Sequence, residues 1–395
     1  MAFRPYYLAK YWSRRGVRTH IVGASYSHLR SRQPQVNSLV HRETIDQISY
    51  FWIKTPKYLG NGLGRVINIV CFLAGILINS RRMLRETLPN IIIASSTYPM
   101  DVFVGWYLAK VSGAKLVFEL HDVWPESLIE LAGLHPYHPF VLLVGLSERA
   151  AYKLPHLFIS MLPSVSAHCV SRGLAPDKLV IVPNGFDNTQ SDSKSGDLPQ
   201  GLQSFLSMCR KKERFVIGYA GAHGLPNNLE TLIDAAASLP MHFTIALVGD
   251  GQEKSTLMAK AKSLDLTNVE FFEPIPKDAM PTFLQYCDVA YIGAKKSKLY
   301  RHGVSPNKLM DYMMAEVPIL FAIEAGNNPV EEAGCGISIK AEDSDEVVRG
   351  IKHLSNLCIE ERRDMGRRGK QYALLNYSYD ILSDKFLSAM RSISS

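Results

Sequence analysis

The feature that most constrains this chain is an alternation that runs, stops and starts again. Short β-branched and aromatic runs, such as 19–24 (THIVGA) and 115–120 (KLVFEL), are separated by longer segments with apolar residues at helical spacing. Parallel strands need a connection long enough to return over the sheet, and this alternation is its signature. In the front half, strands are expected at 19–24, 91–94, 115–120, 157–160 and 179–182, with helices near 5–15, 65–87, 100–112, 138–153 and 163–173. A stretch rich in Ser, Asp and Gly at 188–212 interrupts the pattern. It then resumes, with strands expected at 215–220, 243–248, 269–272, 289–292, 319–321 and 337–339. Helices are expected near 228–238, 252–263, 278–286, 305–315, 328–333 and 343–356, followed by two amphipathic helices across 358–394.

The expectation is an α/β protein of two Rossmann-like, doubly wound parallel-sheet domains. The boundaries read as 1–190 for the front domain, 191–212 for a linker and 213–375 for the second domain. Residues 376–395 read as a C-terminal helix returning to the front domain. Such sheets bind ligands at the carboxyl ends of their strands, so an active site is expected in the cleft between the domains. The front half opens with an amphipathic helix (Tyr6, Leu8, Ala9, Trp12) where such a domain usually opens with a strand. Either the fold begins differently or the chain is truncated.

Hydrophobic residues at 47% and charged residues at 21% exclude disorder, collagen and coiled coil as the main architecture. The six cysteines lie apart with no Cys-x-x-Cys pair, which speaks against a zinc ribbon, a redox motif or a disulfide scaffold and for a cytoplasmic protein. The amino terminus has no apolar segment of the signal-peptide kind. The longest apolar stretch, 66–78, falls short of the roughly 20 residues of a spanning helix. It is flanked by Arg65, Arg81, Arg82 and Arg85, so it reads as a buried helix or as a basic-edged helix resting on a membrane surface. Residues 1–187 hold 20 Lys and Arg against 11 Asp and Glu, whereas 188–395 hold 24 against 26. A basic front half suits an anionic partner such as an acidic membrane face or a phosphorylated lipid. With no nucleic-acid motif and no basic cluster interleaved with aromatics, nucleic acid is not expected.

Three segments could carry chemistry. In 303–313 (GVSPNKLMDYM), Ser305 suits an N-cap and Pro306 the first helical position. Lys308 then falls in the first turn, where the helix dipole already favours an anion, and Asp311 follows one turn later. An ordinary capped helix with a surface Lys308–Asp311 pair would look the same. In 218–224 (GYAGAHG), glycines leave a strand and would let backbone approach a phosphate, with Asn227 and Glu230 at capping-box spacing. At the end of strand 115–120, His121, Asp122 and Glu126 are polar and titratable where a ligand would lie. His121 could donate to a sugar hydroxyl or a developing charge, and either acid could orient a hydroxyl. A structural histidine is the plainer alternative. His135 and His138 lack a third metal ligand, and no Gly-x-Ser-x-Gly elbow or Walker A sequence occurs.

Taken in order, HDVWPE (121–126), VPNGFD (182–187), GYAG (218–221), SPNKLMDYMMAEVPIL (305–320) and EEAGCGI (331–337) resemble a retaining, GT-B-fold glycosyltransferase of family 4. The resemblance covers nearly the whole chain. Its nearest branch builds bacterial O-antigen and capsular polysaccharides, including fucosamine-type transferases. The resemblance implies that His121 contacts the donor sugar near the reacting carbon. It places Gly221 and Ala222 under the diphosphate, Lys308 as its counter-charge and Asp311 on the ribose hydroxyls. The loop 273–275 would hold the base, with Ile275 acting through its backbone, and Asn184, Gly185 and Asp187 would shape the hinge. Asp122 and Glu126 remain sugar or acceptor contacts.

Three positions depart from the family pattern. Two glutamates common in the family are Gly303 and Asp311 here, so backbone N–H groups of Gly303, Val304 and Ser305 would replace a side-chain contact. A basic residue common before the first helix of the second domain is replaced by 225–228 (LPNN), which leaves the phosphate charge to Lys308, with Lys298 or Arg301 as helpers. The expected opening strand and glycine-rich acceptor loop are missing. The implied activity is transfer, with retention, from a nucleotide sugar, a UDP-sugar first, to a lipid-linked saccharide in O-antigen, capsule or lipopolysaccharide biosynthesis. No cofactor or metal is implied, and the expected location is cytoplasmic, peripheral on the inner membrane. Two rivals stay open, a nucleotide-sugar epimerase of the same fold and a non-catalytic scaffold of a polysaccharide assembly complex.

Overall fold

A computed structural model describes residues 4–28, 30, 32–60, 62–130, 132–188 and 196–394. The chain divides into two units, one made of the residues up to Asn184 with those from Tyr379 onward, the other running from Gly185 to Ser378.

The front unit begins with helix α1 (Arg4–Arg14), followed by β1 (His20–Ala24), β2 (Val40–Ile45) and β3 (Ile48–Ile53). Then come α2 (Leu63–Thr87), β4 (Ile91–Ala94), α3 (Asp101–Ser112), β5 (Lys115–Leu120), α4 (Glu126–Glu130) and α5 (Pro139–Lys153). Strand β6 (Leu157–Ser160), α6 (Ser166–Ser171) and β7 (Leu179–Ile181) complete its forward run. Four strands form one parallel sheet in the order β4-β5-β6-β7, and three form another in the order β1-β3-β2. Strand β5 is apolar along most of its length because both faces are covered, as in parallel sheets generally. On one side Phe118, Phe158, Tyr152 and Cys169 pack together. On the other, Tyr7, Leu8 and Trp12 of α1 pack with Leu382, Phe386 and Met390 of α15 (Tyr379–Ser392). Trp12 Nε1 donates to the Ser383 carbonyl at 3.0 Å, which fixes the register of that helix pair.

The hairpin β2–β3 was not expected, and it makes the front unit's smaller sheet partly antiparallel. Helix α2 is also more than the stretch 66–78 suggested. It is the one helix among the described residues long and apolar enough to cross a membrane, yet one face is packed, with Phe72, Ile76 and Met83 in a core with Phe51 and Ile53. Its opposite face leaves Ile67, Val70 and Ile78 exposed.

In the second unit, α7 (Gln200–Lys211) precedes β8 (Phe215–Ala220), α8 (Leu229–Ala237), β9 (Phe243–Val248), α9 (Lys254–Ser263) and β10 (Val269–Phe272). The run continues through α10 (Met280–Leu284), β11 (Val289–Gly293), α11 (Asn307–Met314), β12 (Ile319–Ala322), α12 (Pro329–Ala333) and β13 (Gly336–Ser338). Helices α13 (Ser344–Asn356) and α14 (Ile359–Asn376) close it. All six strands are parallel in the order β10-β9-β8-β11-β12-β13. Winding reverses between β8 and β11, and that reversal opens the crevice where such sheets bind ligands. Helix α7 lies inside the expected linker. Its Leu202, Leu206 and Cys209 are buried in the core of this unit, and its polar outer face is what gave the segment a linker-like composition. Residues 189–195 of that stretch lie outside the described residues. All six cysteines are free.

Candidate functional site

Two neighbouring carboxyl ends, those of β8 and β11, place the principal group of polar residues. After β8 the chain turns at Gly221 (φ +150°), a conformation open to glycine and strained for other residues. A side chain there would meet Tyr219 Oη at 3.3 Å and Lys308 Nζ at 3.4 Å, so the missing side chain leaves space between the backbone and the lysine. Tyr219 Oη donates to the Ala222 carbonyl at 2.7 Å, and Asn227 Nδ2 donates to the same oxygen at 3.0 Å. The turn is thereby held open in one shape.

Beyond β11 and a short turn, α11 brings Lys308 into this turn. Its Nζ donates to Tyr219 Oη at 2.8 Å and to Asn227 Oδ1 at 2.6 Å. Among the described residues it has no carboxylate partner, and burial lowers its ammonium to about 8. A half-buried cation with only neutral partners among the described residues is an electrostatic deficit that an anion would fill. The alternative of a surface Lys308–Asp311 pair is not what forms. Asp311 is half-buried and its carboxylate makes no hydrogen bond among the described residues; burial raises its carboxyl, with Lys277 opposing.

Several local expectations are corrected. Helix α11 starts at Asn307 with Pro306 in the cap position, one residue later than expected, and no side chain caps it. The Gly303 N–H donates to the Tyr300 carbonyl at 2.9 Å, and the Val304 N–H donates to Asn327 Oδ1 at 2.7 Å. Two of the three backbone donors assigned to the sugar are thus already engaged. Asn227 and Glu230 form no capping box. Asn228 occupies the cap of α8, Glu230 pairs with Lys260 at 2.8 Å, and Asn227 is committed to Lys308. Lys298 and Arg301 line a hollow with Glu324 and Asn328 beside β12 and β13. Ile275 is half-buried, packed against the second unit's core.

His223 was not singled out by sequence. It is fully buried, and among the described residues both ring nitrogens lack a partner. Burial, aided by Lys254, lowers its imidazole to about 4. Its backbone ties the β8 turn to the turn after β9, its N–H donating to the Asp250 carbonyl at 2.8 Å. The signal for Tyr219 and Asn227 was present in the alternation, since both flank the glycine turn, but nothing local marked them as partners of a lysine far along the chain.

A second group sits in the front unit at the carboxyl end of β5. His121 Nε2 lies 3.1 Å from Ser95 Oγ and 3.4 Å from Glu119 Oε2. Glu119 is buried and accepts from Arg4 Nε at 2.8 Å. Burial alone would raise this carboxyl, but Arg4, with His121 and Ser95, holds it well below the usual carboxylate range. His121 is thus anchored on one ring nitrogen and oriented by a buried charge, as a positioned donor would be. The three polar residues of this segment have different surroundings. Asp122 is exposed, and Glu126 faces Arg172 at 3.5 Å and His168 at 3.6 Å, which makes it part of an ion-pair cluster at α6. His138 caps α5 by accepting from the Phe140 N–H, in keeping with its plain structural reading.

Two family models match this chain in tandem, Glycosyltransferase Family 4 over residues 4–190 and Glycosyl transferases group 1 over 209–372. A curated relative, a putative colanic acid biosynthesis glycosyl transferase, WcaI of Escherichia coli K12, is 25% identical over 254 residues. That match spans 62% of this chain and 61% of the relative's length. Among solved structures, Anabaena HepE in complex with UDP and glucose superposes with a TM-score of 0.64 at 17% identity, over 88% of this chain and 87% of HepE. WaaG, a glycosyltransferase involved in lipopolysaccharide biosynthesis, gives 0.63 at 15% identity, over 97% of this chain and 93% of its own.

Proposed function

Because the chain joins a family 4 module to a group 1 module and is of the GT-B glycosyltransferase type, we propose that it moves a sugar from a nucleotide sugar, UDP-linked, to a lipid-linked saccharide in cell-surface polysaccharide biosynthesis. The observation that carries this reading is Lys308: a half-buried ammonium held by Tyr219 and Asn227, without a counter-ion among the described residues, at the switch point of a parallel sheet. A diphosphate is the ligand such a cation suits, since its charge grows as the sugar–phosphate bond breaks. The bare backbone at Gly221 gives it room. HepE's complex with UDP supports uracil as the base, and the Asp311 carboxylate, with no hydrogen-bond partner among the described residues, is the acceptor for the ribose hydroxyls.

In the proposed reaction the bond between the anomeric carbon and the β-phosphate oxygen breaks, and the acceptor hydroxyl adds to the same face. Its proton passes to the departing diphosphate, so the chemistry needs neither a carboxylate base nor a metal. His121, steadied by Ser95 and Glu119, is assigned to the donor sugar. The front unit supports a peripheral membrane location on the cytoplasmic face of the inner membrane. Neighbouring helices α2, α3 and α5 expose Ile67, Ile78, Phe103, Trp106, Leu142 and Leu146, and Arg81 and Arg85 flank them.

Isothermal titration of the chain with UDP, GDP, ADP and NAD tests this reading. Binding of UDP alone, weakened at least about tenfold in Lys308→Met, is expected. Tight binding of NAD, or UDP binding indifferent to Lys308, would overturn it, and sugar interconversion without acceptor would turn the assignment to an epimerase.

A further inference from the structure

The two sheets of the front unit end on strands that face one another. Among the described residues, strand β1 pairs with β3 alone and β4 with β5 alone, so each presents one unpaired edge there. Both edges line a single hollow, with Ile21 and Val22 on one bank and Ile92 and Ala94 on the other. Their carboxyl ends, Ala24 with Tyr26 and Ser96 with Tyr98, line one adjoining hollow, so the two strands run in the same direction. Leu8 and Trp12 of α1 close one face of the slot, and Phe72, Ile76 and Val104 of α2 and α3 close the other.

A slot of this kind specifies its occupant. Each bank carries a ladder of backbone N–H and C=O groups, and a lipid chain or small apolar molecule would cover them without pairing them. Only extended polypeptide pairs with two edges at once. Both faces are apolar, so side chains pointing either way must be apolar, as in the central strand of a parallel sheet. At the rim, both ring nitrogens of His20 and Oδ1 of Asp101 are out of water with no hydrogen-bond partner among the described residues. All three atoms await donors or acceptors that a passing backbone carries.

We propose that the slot between β1 and β4 takes an extended, uninterrupted apolar polypeptide segment, about as long as the five residues of β1 and parallel to both banks, which joins the two sheets into one. The test uses the full chain and a synthetic peptide, acetyl-KVIVIVK-amide. Its counterpart is methylated on every central backbone nitrogen, so that it is equally apolar but cannot donate. Hydrogen exchange is read at 20–24 and 91–94. The first peptide should slow exchange in both strands by at least about tenfold and raise the melting temperature, and the methylated one should do neither. Equal effects of the two peptides would mean that the slot only wants apolar bulk, and would overturn the proposal. So would protection of one strand alone, no effect of either peptide, or protection that grows with protein concentration when no peptide is present, the mark of a second copy filling the slot. Val22→Asp should abolish the peptide's effect. Should that variant fail to fold, the two peptides on the unaltered chain still decide.

Discussion

Lys308 and Tyr219 meet twice: Nζ donates to the phenol oxygen at 2.8 Å and lies 4.4 Å from the centre of the same ring. A desolvated cation over an aromatic face gains about 2 kcal/mol, which holds the ammonium in place without neutralising it. A pair of charges about 4 Å apart at a protein surface is worth about 4 kcal/mol, so a bound diphosphate gains more from this lysine than the fold does. Lys308→Met keeps the apolar stem and removes the charge. It should lower kcat/KM by about 3–4 kcal/mol of transition-state stabilisation, on the order of a hundredfold or more, without lowering unfolding stability, since burial makes the charged amine a cost to the folded chain. Steady-state kinetics beside urea unfolding would check both halves.

The lowered ammonium also sets a pH dependence. Lys308 titrates near 8 in the folded chain against an ordinary value of 10.5. The unfolded chain therefore binds more protons between these values, and this residue's contribution to stability rises with pH across that window. Nucleotide binding has the opposite sign. Only the protonated amine attracts a diphosphate, so the dissociation constant for UDP should climb above about pH 8, and binding near pH 8–9 should take up a proton. Titration calorimetry in two buffers of different ionisation enthalpy would show the uptake, and identical heats in both would place the proton elsewhere.

The strand–helix alternation was legible where local pattern and tertiary burial agree, as in β5 and β8. It failed where a usual signal was missing. The β2–β3 hairpin turns at Asp46 and Gln47, both at positive φ (48° and 67°), without the Asn-Gly or Asp-Gly pair that would announce such a turn. Helix α7 was lost because its apolar residues are a minority of a polar segment. At the site, Lys308, Gly221 and Asp311 could be picked from spacing and resemblance. The commitment of Asn227 to Lys308 could not, because it joins residues brought together only when β8 and β11 pair.

Gly221 gives a sharper test of the phosphate turn than a charge change does. Gly221→Ala must hold an alanine at φ near 150° and place its methyl 3.3 Å from Tyr219 Oη and 3.4 Å from Lys308 Nζ, in the space beside the lysine. The backbone strain is of order 1–3 kcal/mol. The fold should survive, since the core of the second unit is untouched, but UDP affinity should fall at least about tenfold. Unaltered affinity would move the diphosphate away from this turn.

The membrane face is open to a direct test. Arg81 and Arg85 are exposed at the end of α2, and Ile78 is 78% exposed between them and the helix middle. Each basic residue near an anionic surface is worth about 1 kcal/mol. The double substitution Arg81→Gln, Arg85→Gln should weaken binding to phosphatidylglycerol vesicles by roughly tenfold or more and leave phosphatidylcholine unaffected. Ile78→Asp should weaken both. Co-sedimentation at low and high salt reads the difference.

Arg4 and Glu119 form the most consequential ion pair of the front unit. Their side chains are 5% and 2% exposed, and the guanidinium also donates to the Val182 carbonyl at 2.7 Å, tying α1 to the end of the sheet. Removing one partner strands a charge out of water, and Arg4→Met should cost about 3–5 kcal/mol. Glu119 is held below its unfolded value, so its contribution is fully present above the ordinary glutamate value of 4.5 and is lost as pH falls through the lower folded value. Arg4→Met should make acid unfolding start at higher pH. Adding Glu119→Leu removes the stranded charge, and the double variant should recover most of the lost stability. It should not recover the orientation of His121, which loses its carboxylate neighbour. If turnover returned with stability in the double variant, His121 would have no need of that anchor, and its assignment to the donor sugar would fall.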